Sequence, residues 1–180
     1  MDFDRFSKDD VVGSATINAQ ELLEMMRIAR HQGINVQERT LALRRTEKNG
    51  VVKDIKGKNG ETSTLTLNLT FTGHYGADAG REGGAENGRD GPEEGKQNSL
   101  PLSVRVMRGA HIPRMDGMLG TCDPYVMIEY GADKCQTLIK KGYNVTWDQE
   151  FELEPEMSGS DMQVKLYDMV SVPKERVLII

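Results

Sequence analysis

Aspartates are gathered at three places in the sequence that border predicted strands, and they are the side chains best suited to chemistry. They are Asp2, Asp4, Asp9, Asp10, Asp116, Asp123 and Asp168. Carboxylates at strand ends offer oxygen ligands, which suit Ca²⁺ better than Zn²⁺. The alternative is that these segments are ordinary solvated loops, because acidic side chains are mostly exposed.

Other kinds of site are not indicated. Residues 2–13 fail as an EF-hand, because the sixth position is Ser7 instead of glycine and the twelfth is Gly13 instead of glutamate. Residues 91–97 miss the spacing of a phosphate-binding loop by one position. No nucleophile paired with a general base is apparent, so the sequence predicts a non-enzymatic protein. A net charge of −5 and a pI near 5.3 argue against nucleic-acid binding.

The first part of the chain predicts three strands and one helix. Residues 11–17 form the first strand, and a helix near residues 19–31 follows Asn18 as its N-cap. Leucines alternate with polar residues over 63–71, which is the pattern of a half-buried strand. Leu41 and Leu43 indicate a further strand, and the pairs Asn49–Gly50 and Asn59–Gly60 indicate turns.

The second part of the chain predicts strands only. They are placed at residues 102–106, 125–130, 135–139, 147–153 and 162–167. Short strands separated by Gly, Pro and Asp are typical of an antiparallel β-sandwich. The predicted fold class is therefore all-β, with the one helix as the exception.

A segment without core-forming residues divides the two parts. Residues 76–99 contain seven glycines and nine charges but no Val, Ile, Leu, Met or aromatic residue. Such a segment has nothing to bury and cannot offset the entropy of ordering. It is predicted to be a flexible linker between residues 1–75 and residues 100–180.

Residues 102–126 resemble the opening of a C2 domain, in which an aspartate and a Gly-rich loop precede Asp-Pro-Tyr-Val. Thr137 and the stretch from Asn144 to Phe151 resemble the next motif of that family, with Val145 in place of proline. Residues 164–168 resemble the strand that leads into the family's third loop. Residues 100–180 therefore resemble the N-terminal part of one C2 module.

The beginning of the chain resembles a different part of the same family. Residues 2–13 are similar to the third loop of a synaptotagmin-type C2 domain and the strand after it. Residues 65–71 resemble a C2 terminal strand, although that strand belongs to the second module in the other C2 topology. Residues 1–75 thus resemble the C-terminal part of a first module in a tandem C2 protein.

The resemblance implies a set of Ca²⁺ ligands. It gives Asp116 and Asp123 in the first loop, and Asp2, Asp4 and Asp10 in the third loop, with Ser7 as an additional ligand. The second module's own third loop keeps Asp168, but Val170 and Arg176 stand where aspartates belong. Losing two carboxylates there is expected to weaken Ca²⁺ binding by that module alone.

The implied function is Ca²⁺-dependent binding to anionic phospholipid membranes by a cytoplasmic protein that is peripheral at the membrane. One alternative is a Ca²⁺-independent module that binds protein partners, which Val170 and Arg176 favour. Another is a regulatory fragment of a membrane-acting enzyme whose catalytic domain lies elsewhere.

The two partial modules complement each other. We therefore expect residues 11–71 to pair in one sheet with residues 102–167, forming a composite sandwich that unites both sets of aspartates. The same complementation between two chains would give a swapped homodimer.

Overall fold

The computed structural model describes residues 10–72, 101–115, 122–154 and 159–169, which form ten strands and one helix. In chain order these are β1 (Asp10–Ile17), α1 (Ala19–Gln32), β2 (Ile34–Ala42), β3 (Arg44–Thr46), β4 (Val52–Asp54), β5 (Thr64–Thr72), β6 (Leu102–Ala110), β7 (Pro124–Tyr130), β8 (Asp133–Gln136), β9 (Val145–Leu153) and β10 (Met162–Asp168). The predicted linker, residues 76–99, lies outside the described residues.

The strands form two antiparallel sheets, as a C2-type β-sandwich requires. One has six strands in the order β4-β3-β1-β10-β7-β8, and the other has four in the order β2-β5-β6-β9. Each sheet contains strands from both parts of the chain, because β1 pairs with β10 and β5 pairs with β6. The expected pairing of residues 11–71 with residues 102–167 is therefore confirmed.

Strand β5 forms where the sequence pattern predicts it and supplies much of the core. Leu65, Leu67, Leu69 and Phe71 are fully buried, whereas Thr64, Asn68 and Thr70 on the other face are only partly covered. The strand lies between β2 and β6 and pairs with both along most of its length. It therefore joins the two parts of the chain within one sheet.

Helix α1 follows β1 and closes one end of the core. The side chain of Asn18 accepts a hydrogen bond from the Glu21 amide at 2.8 Å, and Gly33 ends the helix with φ 86°. The buried face consists of Leu22, Met25, Met26 and Ala29, as the helical spacing predicts.

Three strand predictions were wrong in their bounds. The strand predicted at 102–106 is too short, because β6 continues to Ala110. The strand predicted at 41–43 is the end of β2, which stops at Ala42. Leu43 is buried and connects β2 in the four-stranded sheet to β3 in the six-stranded sheet. The strand predicted at 135–139 ends at Gln136. The reason is that the Leu138 amide donates to the Gln149 side chain, and the Leu138 carbonyl accepts from the Trp147 indole, so this residue leaves the strand pairing.

Both Asn-Gly pairs form turns, as predicted. Gly50 and Gly60 each have φ +81°, a left-handed conformation that glycine adopts without strain. The first turn joins β3 to β4, and the second lies within the segment 55–63 between β4 and β5.

Candidate functional site

Three of the predicted aspartates lie at one end of the six-stranded sheet. Asp10 begins β1 opposite Asp168, which ends β10, and Asp168 lies opposite Pro124 at the start of β7. Asp123 immediately precedes Pro124. The antiparallel register therefore brings residues distant in sequence to the same end of the sandwich, as the predicted site requires.

Two hydrogen bonds hold the Asp123 backbone against the end of β10. The Asp123 amide donates to Asp168 Oδ1 at 2.7 Å, and the Met169 amide donates to the Asp123 carbonyl at 3.1 Å. Asp168 is almost completely buried, with 2% of its surface exposed. One residue further into the sheet, the rings of Tyr125 and Tyr167 stack with centroids 5.2 Å apart. This packing fixes the position of the two aspartates.

The Oδ1 atom of Asp123 is buried and has no hydrogen-bond partner within the described parts of the chain. Leaving a buried acceptor unpaired costs about 1–3 kcal/mol, and more for a charged group. A carboxylate oxygen held in this way is a suitable ligand for a hard cation such as Ca²⁺. The aspartate pair therefore fits the cation that the sequence predicts.

The described residues include only part of the predicted ligand set. Asp10 is exposed, and no group of three or more His, Cys, Asp or Glu side chains that could hold a metal ion occurs among the described residues. The other predicted ligands, Asp2, Asp4, Ser7 and Asp116, lie outside the described residues, as do Val170 and Arg176. Their assignment stays a prediction.

A loop over residues 137–144 runs beside this aspartate pair. The Lys140 amide donates to the Pro124 carbonyl at 3.0 Å, and the Gly142 amide donates to the Cys122 carbonyl at 2.9 Å. The loop is therefore attached to the residues on both sides of Asp123.

The same loop exposes apolar side chains that the sequence analysis placed in a strand. Leu138 is 65% exposed and Ile139 is 41% exposed, and Lys140 and Lys141 follow directly. The sequence signal that could have indicated this exposed surface is the adjacency of two apolar and two basic residues.

Comparison with protein families agrees with this geometry. The model of the C2 domain family matches residues 1–34 and 101–179, which is more than half of the chain. The chain belongs to the C2 domain family. The matched stretches contain β1, α1 and β6–β10, so the C2 match includes the strands that carry Asp10, Asp123 and Asp168. Domains of this family generally bind Ca²⁺ and phospholipid and are typically non-catalytic.

No curated protein matches the chain at a significant level. Within the described ranges, no helix has the length and apolar character needed to cross a bilayer.

Proposed function

We propose that this C2 domain binds anionic phospholipid membranes in a Ca²⁺-dependent manner, through the end of the sandwich that carries Asp123 and Asp168. The observation that carries the proposal is the buried Oδ1 of Asp123, which has no hydrogen-bond partner in the described parts of the chain. A cation ligand explains why an acidic side chain is kept in this position despite its cost.

The aspartates themselves make the function conditional on the cation. Without Ca²⁺, the negative charges of Asp123 and Asp168 repel acidic headgroups and lower the affinity for the membrane. When bound, Ca²⁺ supplies positive charge and open coordination positions for lipid phosphate oxygens.

The loop over 137–144 provides the apolar part of the membrane contact. Leu138 and Ile139 are exposed beside the aspartate pair, and full burial of such a side chain is worth about 1.5–3 kcal/mol. Lys140 and Lys141 are exposed and directly follow these apolar side chains, so they would contact anionic headgroups when the apolar side chains enter the interface. The proposed location is therefore peripheral at an anionic membrane.

Co-sedimentation with vesicles tests the proposal. The full chain is mixed with phosphatidylcholine vesicles, with and without phosphatidylserine, in Ca²⁺ or in EGTA. We expect sedimentation only with phosphatidylserine and Ca²⁺, and we expect Asp123→Asn to abolish it. The matched control is Asp133→Asn, because Asp133 Oδ2 accepts a hydrogen bond from the Glu154 amide at 2.7 Å and lies near the opposite end of the sheet.

The outcomes separate the alternatives. Sedimentation that is equal in Ca²⁺ and EGTA, or absent in both, would contradict the proposal and favour the protein-interaction module. Replacing Leu138 and Ile139 by serine is expected to weaken vesicle binding while calorimetric Ca²⁺ binding stays unchanged. Loss of Ca²⁺ binding in that variant would show that the loop supports the cation site instead.

A further inference from the structure

We propose that the protein has a second anion-binding site, a cationic pocket that takes a phosphomonoester group without Ca²⁺. One wall of this pocket is the hairpin formed by residues 55–63, which lies outside the residues matched by the C2 family model. The site is therefore a feature of this chain beyond the shared C2 framework, and it does not require the proposed Ca²⁺ site.

The hairpin is held against the residue that follows β6. Its own backbone is closed by the Gly57 amide donating to the Glu61 carbonyl at 2.8 Å. A Cβ atom at Gly57 would lie only 2.7 Å from the His111 carbonyl oxygen, so the two backbones are in direct contact. The Ser63 hydroxyl also donates to that carbonyl. These contacts fix the distance between the hairpin and the loop after β6.

The space between these segments is a cavity of about 700 Å³, within the usual range for small-ligand sites. The side chains of Lys56, Lys58 and Arg114 contribute three positive charges to its lining. The acidic member of the lining, Glu61, is paired with His111 Nδ1 at 2.8 Å. The lining therefore carries an excess of positive charge.

Several hydrogen-bond donors are placed for an anion. Lys56 Nζ donates to the Thr62 hydroxyl at 2.6 Å, which positions the ammonium group and leaves its other two protons for a ligand. Lys58 has no ion-pair partner among the described residues. Asn144 Oδ1 accepts a hydrogen bond from the His111 amide at 2.9 Å, so its NH₂ group is available as a donor.

A phosphomonoester matches this set of donors better than a carboxylate or a phosphodiester. It carries about −1.5 to −2 charges near neutral pH and three strong acceptor oxygens. Ammonium and guanidinium groups form short, charge-assisted hydrogen bonds with such oxygens.

The pocket lies beside the loop that is attached next to Asp123. The Ile112 amide donates to the Tyr143 carbonyl at 2.9 Å, and both residues line the pocket. Tyr143 belongs to the loop over 137–144 that is attached beside Asp123. A phosphorylated lipid headgroup at a membrane can therefore reach the pocket, as can a soluble phosphomonoester.

Binding is measured on the full chain in EGTA, so that the Ca²⁺ site does not contribute. The lipid probe is phosphatidylcholine vesicles containing phosphatidic acid, compared with phosphatidylserine vesicles of equal surface charge. The soluble probe is glycerol 3-phosphate, measured by calorimetry. We expect phosphatidic acid to be bound in preference to phosphatidylserine, and the double variant Lys56→Gln/Lys58→Gln to bind about tenfold more weakly.

Control variants separate the pocket from overall charge and from the Ca²⁺ site. Arg27→Gln/Lys134→Gln removes two charges from α1 and β8, away from the pocket, and is expected to bind as the unaltered chain does. Lys56→Arg/Lys58→Arg keeps the charge and should retain binding. Asp123→Asn should also retain it, even though this variant abolishes the Ca²⁺-dependent binding proposed above.

Binding of either probe supports the pocket if Lys56→Gln/Lys58→Gln weakens that binding. Whether the vesicles, glycerol 3-phosphate or both bind identifies the source of the phosphate. Failure of both probes to bind in EGTA overturns the proposal. So does an unchanged affinity in Lys56→Gln/Lys58→Gln, or an equal loss in Arg27→Gln/Lys134→Gln.

Discussion

Replacing Asp123 by asparagine is expected to make the protein more stable without Ca²⁺ and less stable with it. The carboxylate of Asp123 has a buried Oδ1 that finds no hydrogen-bond partner among the described residues, and it lies beside the buried Asp168. Asparagine has nearly the same shape but no charge, and a buried neutral amide costs less than a buried carboxylate. The Asp168 carboxylate keeps its hydrogen bond in the variant, because the donor is the backbone amide of residue 123.

The size of the effect follows from these contacts. Removing the charge should raise the free energy of unfolding in EGTA by about 1 kcal/mol, the low end of the cost of an unsatisfied buried group. For a chain of this length, that corresponds to an increase in Tm of about 2–4 °C. Ca²⁺ at about 100 times its Kd stabilises the unaltered protein by about 2.7 kcal/mol, and the variant gains little. The order of the two Tm values should therefore reverse on adding Ca²⁺.

Differential scanning calorimetry of both proteins in EGTA and in Ca²⁺ measures this reversal. Asp133→Asn is the control, because its carboxylate already has a backbone partner and it should shift with Ca²⁺ as the unaltered protein does. If Asp123→Asn is less stable in EGTA and both proteins shift equally with Ca²⁺, Asp123 has a structural role and the reasoning is refuted.

Three further predictions concern the hairpin, an ion pair and a thiol. Gly57→Ala should lower the free energy of unfolding by about 1–3 kcal/mol, because its Cβ would lie 2.7 Å from the His111 carbonyl oxygen; an unchanged denaturant midpoint would contradict the close contact. A hydrogen bond from Lys165 and a weaker one from Lys134 hold the pKa of Glu129 below its usual value. Glu129→Gln should therefore cost less than about 1 kcal/mol at neutral pH, and this difference should disappear as the pH falls through the lowered pKa; a difference that does not decrease toward acid pH would exclude this cause. Burial raises the pKa of the Cys135 thiol to about 11. Its alkylation by iodoacetamide at pH 8, followed by peptide mass spectrometry, should be at least about tenfold slower than that of a free thiol, and an equal rate would contradict the burial.

The sequence predicts those elements whose residues repeat with a clear period. Helix α1 and strand β5 could be predicted because their apolar residues follow helical spacing in α1 and alternating spacing in β5. In both elements these apolar residues form the buried face. Strands β3 and β4 were missed, since every residue in them is exposed and no alternation marks them. They pair with each other across the turn at Asn49–Gly50, which the sequence does indicate, but β3 meets β1 through a single residue pair that no local pattern reports.

Of the two candidate sites, one could be predicted from the sequence and the other could not. Asp123 and Asp168 could be predicted because each lies in a recognisable C2 motif at a strand end. The pocket could not, because it depends on the approach of Gly57 to His111, two residues far apart in the sequence whose contact exists only in the folded sandwich. The turn at Gly60 was predictable, but the surface that it packs against was not.

The central place of β10 in its sheet has a consequence for how the protein folds as it is synthesised. Strand β10 lies between β1 and β7, and the other paired neighbour of β1, β3, meets it through a single residue pair. Strand β1 therefore leaves the ribosome long before its main partner exists, by about 7–30 s at ordinary translation rates. During that interval the edge of β1 and its apolar residues Val12 and Ile17 have no completed sheet to join. The nascent chain is thus most prone to aggregation just before residues 162–168 emerge.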